Sequence, residues 1–405
     1  MRFTTPKQAI VNGARVEETP HFRLHFRMRN LPPGMAGQGA GVNGLRNQFL
    51  IAYLTDALEL LYKCLTDPPF LRKALLMEDG GIAVLIFDSP NPFATLDLDG
   101  IPYICLPSRS QEPMLQNALH RIAVEAVHEA THVFNWSARP PLRSYVERRW
   151  YWFNEATAVY TEGVVYPGNL DSIRFYLDWS DLPELPLDHK EAEYVSGMFA
   201  RYLARKFEPH LISRMWQEST PDEGPLDALR RLTNNEQSTA IFCHLFGDYA
   251  HDSYFLWDSR LASFHPDVYL RFGSRAVAEN FVLAPGKEAH ACWTLDRLSC
   301  RYFRIDPGPG VSELWATVTV PAEVAGQFRC FLSVNGRDNH RGEVAELKVS
   351  DDPNVLTATL NAPAFREADH IVLTVANCGT RALERTPIGR PHDDGREFEV
   401  QLAAH

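Results

Sequence analysis

The chain of 405 residues carries 40 Lys and Arg against 51 Asp and Glu, a net charge of −11 at pH 7. That balance speaks against nucleic acid or an anionic membrane surface as a partner, because both select a basic face. With 45% hydrophobic and 22% charged residues the chain can fill two or three globular cores. No apolar run is long enough to span a membrane, and the first residues lack the apolar stretch of a signal peptide, so a cytoplasmic protein is expected.

In chain order, His21–Phe26 alternates polar and apolar residues and predicts a half-buried strand, with His21 and His25 on its surface side. The Gly/Pro-rich stretch 31–42 reads as a flexible connector. Leu45 to Cys64 has helical apolar spacing. Ile82–Phe87 reads as a buried strand, and Ile101–Pro107, with proline at both ends, as a strand at a sheet edge. A helix is expected from about Glu112 to Trp136, a break at Pro140-Pro141, and a second helix from Tyr145 to Glu162. Further helices are expected at Leu187–Phe207, Leu211–Trp216, Leu226–Leu232 and Ser238–Phe255. From about residue 280 the texture changes to short alternating runs separated by turn residues, which predicts an all-β sandwich of about seven strands. The seven cysteines are odd in number and lack C-x-x-C spacing. They read as reduced thiols, with pairing among Cys292, Cys300, Cys330 and Cys378 as the alternative.

The chemistry concentrates in the helix at 112–136, where His128, Glu129 and His132 form H-E-x-x-H. At about 100° per residue the two histidines stand about 40° apart, one turn above the other, and can share one zinc ion. Glu129 lies beside that position, placed to take a proton from a water activated by the metal. The proline break allows the next helix to return antiparallel, and it brings Glu155 back toward the histidines as a third ligand. Glu162, two turns beyond Glu155 on the same face, reads as a partner that orients a ligand, with a role as the ligand itself left open.

The segment Asn154-Glu-Ala-Thr-Ala-Val-Tyr-Thr-Glu162 resembles the N-E-G-x-A-x-Y-x-E helix of aminopeptidase N-like gluzincin metallopeptidases, with Ala156 in place of the glycine. Tyr194-Val-Ser-Gly197 is similar to their Y-x-x-G segment. The layout also resembles uncharacterised bacterial proteins classed as metalloproteases, in which a catalytic part precedes a β-sandwich. The resemblance spans most of residues 20–280. It implies a zincin-like α+β fold: a mostly helical catalytic domain over 1–280, with a small sheet in 20–110 and helices in 111–280, then a sandwich over 281–405. It implies Zn2+ held by His128, His132 and Glu155, Glu129 as general base, Tyr194 as donor to the oxyanion, and Asn154 and Glu162 around the ligands. The G-x-M-E-N segment that anchors a free amino terminus in true aminopeptidases is absent, and Val159 stands where thermolysin-like enzymes carry an acid. Asn135 and Ala138 stand where metzincins need Gly and His.

The expected activity is hydrolysis of a peptide or protein substrate. The rival reading is a non-catalytic protein that keeps zinc for structure and binds a protein partner through the sandwich. Tyr194 has a plain alternative as a core aromatic, His189 is a second candidate donor, and Arg148 and Arg149 read as solvated loop charges.

Overall fold

The structure, a computed structural model, describes residues 15–26, 40–66, 82–87, 92–96, 102–107, 115–138, 145–167, 182–189, 192–208, 210–220, 222–233, 239–255, 276–336, 341–361, 368–379 and 395–405. The class is α+β, with the C-terminal region built largely of strands. Contacts divide the chain into two compact units. One comprises Met1–Glu147, Asn154–Ser172 and Ala200–Pro221, the other Arg148–Phe153, Ile173–Phe199 and Asp222–His405. This division differs from a single cut near residue 280. Earlier segments join the sandwich because their backbone bonds to it, as where Leu187 N–H donates to Leu298 O at 2.9 Å. Among the described residues no helix is long and apolar enough to cross a membrane.

In the first unit, β1 (Arg15–Glu18), β2 (Phe22–Phe26), β3 (Ile82–Phe87), β4 (Phe93–Leu96) and β5 (Pro102–Pro107) form one sheet of order β1-β2-β3-β5-β4. β2, β3 and β5 are parallel, and β4 runs antiparallel to β5. Parallel neighbours need a crossover, and α1 (Ala40–Thr66) connects β2 to β3. It buries Ile51, Leu54, Ala57, Leu58 and Leu61, one stripe at helical spacing. The expected connector at 31–42 lies outside the described residues up to 39, and from Ala40 it is already helix.

Two expectations are corrected here. β5 is not the edge. Its prolines are its first and last residues, so no interior ladder donor is lost, and β4 pairs with it on the outside. His21 is not a plain surface residue. Its ring stacks on Tyr62 at 3.5 Å and its Nδ1 lies 2.7 Å from Glu59.

α2 (Leu115–Ala138) packs on α1, β4 and β5, with Phe134 5.9 Å from Tyr62. α3 (Tyr145–Val165) follows, and its residues from Asn154 onward belong to this unit. The expected helix from Leu187 begins only at Gly197, as α4 (Gly197–Lys206). Ser196 Oγ donates to the carbonyls of Leu187 and Ala192, a local alternative to the helical ladder. α5 (His210–Glu218) completes the unit, Trp216 Nε1 donating to Thr157 Oγ1 at 3.1 Å.

The second unit carries α6 (Pro225–Leu232), α7 (Thr239–Tyr254) and ten strands. They are β6 (Val277–Leu283), β7 (Glu288–Leu295), β8 (Ser299–Pro307), β9 (Glu313–Thr319), β10 (Phe328–Gly336), β11 (Arg341–Glu346), β12 (Lys348–Val349), β13 (Val355–Asn361), β14 (Ala368–Asn377) and β15 (Arg396–Ala404). Two five-stranded sheets, β11-β10-β14-β8-β6 and β12-β13-β9-β15-β7, share one core that includes Phe303, Leu332 and Leu373 from the first and Leu314, Val318 and Val400 from the second. Among the described residues no disulfide joins any of the seven cysteines.

β10 and β14 are buried on both faces because α7 covers the outer one, so their sequences read as continuous apolar runs. The cover is partly polar. His251 Nε2 lies 2.7 Å from Ser333 Oγ, and Tyr254 Oη lies 2.8 Å from His370 Nε2. Gly247 sets the approach, since a Cβ there would lie 2.7 Å from Arg329 Cβ.

Two outcomes follow from this interface. Alanine ordinarily favours a helix over glycine by about 1 kcal/mol. At Gly247 the clash should reverse the sign, and Gly247→Ala should destabilise by about 1–3 kcal/mol in urea unfolding. His370 Nδ1–H donates to the Asp369 carboxylate at 2.7 Å, so Nε2 accepts from Tyr254 Oη and from Asn335 Nδ2 at 3.1 Å. Burial holds this imidazole below the ordinary histidine value against the pull of Asp369 and Asp306, and Arg304 adds to the lowering. The unfolded chain therefore binds this proton more readily. The stability carried by neutral His370 should be present above about pH 6.5 and fall as pH drops below it. Urea midpoints from pH 7.5 to 5 should decline more steeply for the wild type than for His370→Gln.

Candidate metal centre

The H-E-x-x-H spacing places His128 and His132 on the inner side of α2, both buried. α3 returns as the proline break allows, and it presents Glu155 and Glu162 to them. His128 Nε2 lies 3.1 Å from Glu155 Oε2, and His132 Nε2 lies 3.5 Å from Glu155 Oε1. One donor atom from each of these three residues falls within 4.8 Å of the others, an arrangement that can hold a metal ion. In a tetrahedral zinc site with bonds of about 2.0–2.1 Å, neighbouring donors stand about 3.3 Å apart. The two distances, which end on different oxygens of Glu155, lie near that value. Two imidazole nitrogens and a carboxylate are a donor set that zinc takes.

Glu162 plays a different part. Its Oε1 lies 2.6 Å from His128 Nδ1, the nitrogen turned away from the other ligands. This bond keeps a proton on Nδ1 and leaves Nε2 for a metal. Both ring nitrogens face carboxylates, which only accept and so favour the positive charge of an imidazolium. Burial opposes that charge, but Glu155 and Glu162 outweigh it and hold the imidazole well above its ordinary value. A metal binding here displaces the Nε2 proton.

Burial also raises Glu155, yet His132 and His128 overcome it and bring its carboxyl far below the usual range. Glu129 behaves in the opposite way. Burial lifts it above the ordinary carboxylate value, only partly countered by His132, His128 and the backbone N–H of Ala94. One site thus holds a permanent carboxylate and another that is readier to take a proton.

Asn154 reaches Asn135, whose Nδ2 donates to Asn154 Oδ1 at 2.9 Å, a buried bond that ties α2 to α3 one residue before Glu155. Trp136 stacks on His132 with ring planes 22° apart. Cys105 on β5 stands near Glu129, and burial together with that carboxylate pushes its thiol up to about 12. Reasoning from sequence missed Asn135, Trp136, Cys105 and Ala94. The first two were open to discovery, lying three and four residues after His132 on one helical face. The last two sit on strands whose placement no spacing encodes.

Tyr194 lies in the turn before α4 and is 39% exposed, and it belongs to the second unit, as does the half-buried His189. Arg149 is a helix residue of α3 rather than a loop charge, and its Nη1 donates to Asp222 O at 3.1 Å. The side chain of Arg148 lies outside the described residues.

The Glu162–His128 bond predicts a cost to metal binding. Glu162→Gln should weaken the affinity for a divalent metal ion by about 10- to 100-fold in a competition titration against a chromophoric chelator.

No curated protein matches the chain. Residues 113–306, just under half of the chain, match the model of a family of unknown function, DUF6055, a span that runs from the start of the metal-centre helices into β8.

Proposed function

We propose that the protein is a zinc-dependent peptidase with Glu129 as its general base. The observation that carries this reading is the convergence of His128, His132 and Glu155, with Glu129 buried beside them and Glu162 behind His128. Bringing two imidazoles and three carboxyl groups out of water costs several kcal/mol per unpaired charge, roughly, and a cation at their focus offsets it. The likeness of 154–162 to the gluzincin helix supports zinc in particular.

Zinc at this position supplies Lewis-acid chemistry, making water more acidic and polarising a carbonyl. The chain's own groups do the rest. The His132 and His128 imidazoles beside Glu155 favour its anionic form. Glu162 fixes the tautomer and plane of His128. Glu129, raised by burial, takes the proton of the attacking water and passes it to the leaving amine nitrogen. The Ala94 amide holds that carboxylate in place against β4.

Ala94 also suggests how substrate lies. β4 is the end strand of its sheet among the described residues, and it packs against α2. An extended peptide that adds to such an edge brings its amides past Glu129.

The decisive experiment is Glu129→Gln. The variant should bind zinc as the wild type does and lose hydrolysis of a peptide library by at least about 100-fold. Equal hydrolysis by Glu129→Gln, or a folded wild type that takes up no zinc, would overturn the proposal.

A further inference from the structure

We infer that Trp136 is a positioning residue for His132, its indole face doing for that imidazole what the Glu162 carboxylate does for His128. The inference rests on the zinc-site reading above and adds a residue to it.

The two histidines are not held alike. His128 is fixed from behind, Nδ1 on Glu162 Oε1 at 2.6 Å. His132 Nδ1 is buried and has no hydrogen-bond partner among the described residues. An imidazole turns broadly about its outer torsion, and a ring without a rear hydrogen bond is free to swing either nitrogen toward the ligands. Its packing supplies the missing restraint. Trp136 stands one turn further along α2, and its ring lies 6.1 Å from the His132 ring, with planes 22° apart. On the other side His128 meets His132 edge-on, at 4.8 Å and 85°. The imidazole is therefore held between an aromatic face and an aromatic edge, arrangements that rings favour at these separations. With its plane set in this way, Nε2 comes to 3.5 Å from Glu155 Oε1 and Nδ1 is left without an acceptor.

This arrangement has a chemical consequence. A carboxylate behind a ligand raises the basicity of its ring. His128 has that support and His132 does not, so His132 is the weaker arm of the clamp. Its hold depends on geometry, which an aromatic neighbour supplies and an aliphatic one of similar apolar character does not.

The test uses the full chain, freed of metal with a chelator. Zinc affinity is measured by competition, and geometry by the visible spectrum of bound cobalt, for the wild type, Trp136→Phe and Trp136→Leu. Trp136→Phe should stay close to the wild type, while Trp136→Leu should lose about tenfold or more in affinity and show an altered cobalt spectrum. Because both variants remove the indole, the comparison between them isolates the ring face from general loss of packing. Equal affinities and spectra for Phe and Leu, whether both unchanged or both weakened, would overturn the inference and leave the zinc site standing. A wild type that binds neither zinc nor cobalt would remove the site itself, and the inference with it.

Discussion

His128 lies between two carboxylates of one helix, and the arrangement of the first unit turns on that contact. Glu155 and Glu162 are seven residues apart on α3, about 10 Å along the axis and nearly in line on one face. One imidazole meets both, Nε2 at 3.1 Å and Nδ1 at 2.6 Å. A slip of α3 by one residue would turn both acids about 100° away and leave a buried imidazole against uncharged surface. The register between α2 and α3 is thereby set by charge as well as by shape. The Asn135–Asn154 bond reinforces it, and the Trp216–Thr157 bond holds α3 against α5.

The same contact explains why the helices must be braced so heavily. Buried acids and imidazoles oppose folding unless they are paired. α2 is accordingly backed by the sheet and by α1, with Phe134 set against Tyr62, and Val127, Ala130 and Val133 all buried. The second unit solves a comparable problem differently. α7 lies on β10 and β14 through a seam in which histidines meet a serine, a tyrosine and carboxylates, and Gly247 permits the close approach. In both units polar groups are buried where one element is fixed against another, and the bonds that cross between elements, such as His251–Ser333 and Tyr254–His370, join distant parts of the chain.

Much of this was legible before any coordinates. The helical pairing of His128 with His132 needs only the i, i+4 period. The return of Glu155 needs only a proline break between two helical patterns. The alternation in β9 and β15 is plain, because one face of each is solvated. Other elements were hidden for identifiable reasons. β7 places Cys292 and His290 outward and small alanines inward, so its pattern has little contrast. The segment from Leu187 to Ser196 has helical composition, yet its backbone is engaged by Leu298 and by the Ser196 hydroxyl, and the helix waits until Gly197. Prolines at Pro102 and Pro107 suggested an edge that their terminal positions did not require.

By itself the sequence determined the α+β class, the strand-rich C-terminal region, and the helix faces that carry His128, His132, Glu155 and Glu162. These follow from periods of 2 and 3.6 and from the points where proline forbids continuation. The tertiary structure alone decided which carboxylate meets which nitrogen, that β4 and not β5 ends the sheet beside α2, and that His132 leans on Trp136 while His128 leans on Glu162. The physical reason is the range of the interactions. Backbone periodicity is local and is written in neighbouring residues. Desolvation, ring stacking and hydrogen bonding across elements depend on distances between residues far apart in the chain, and those exist only once the chain is packed.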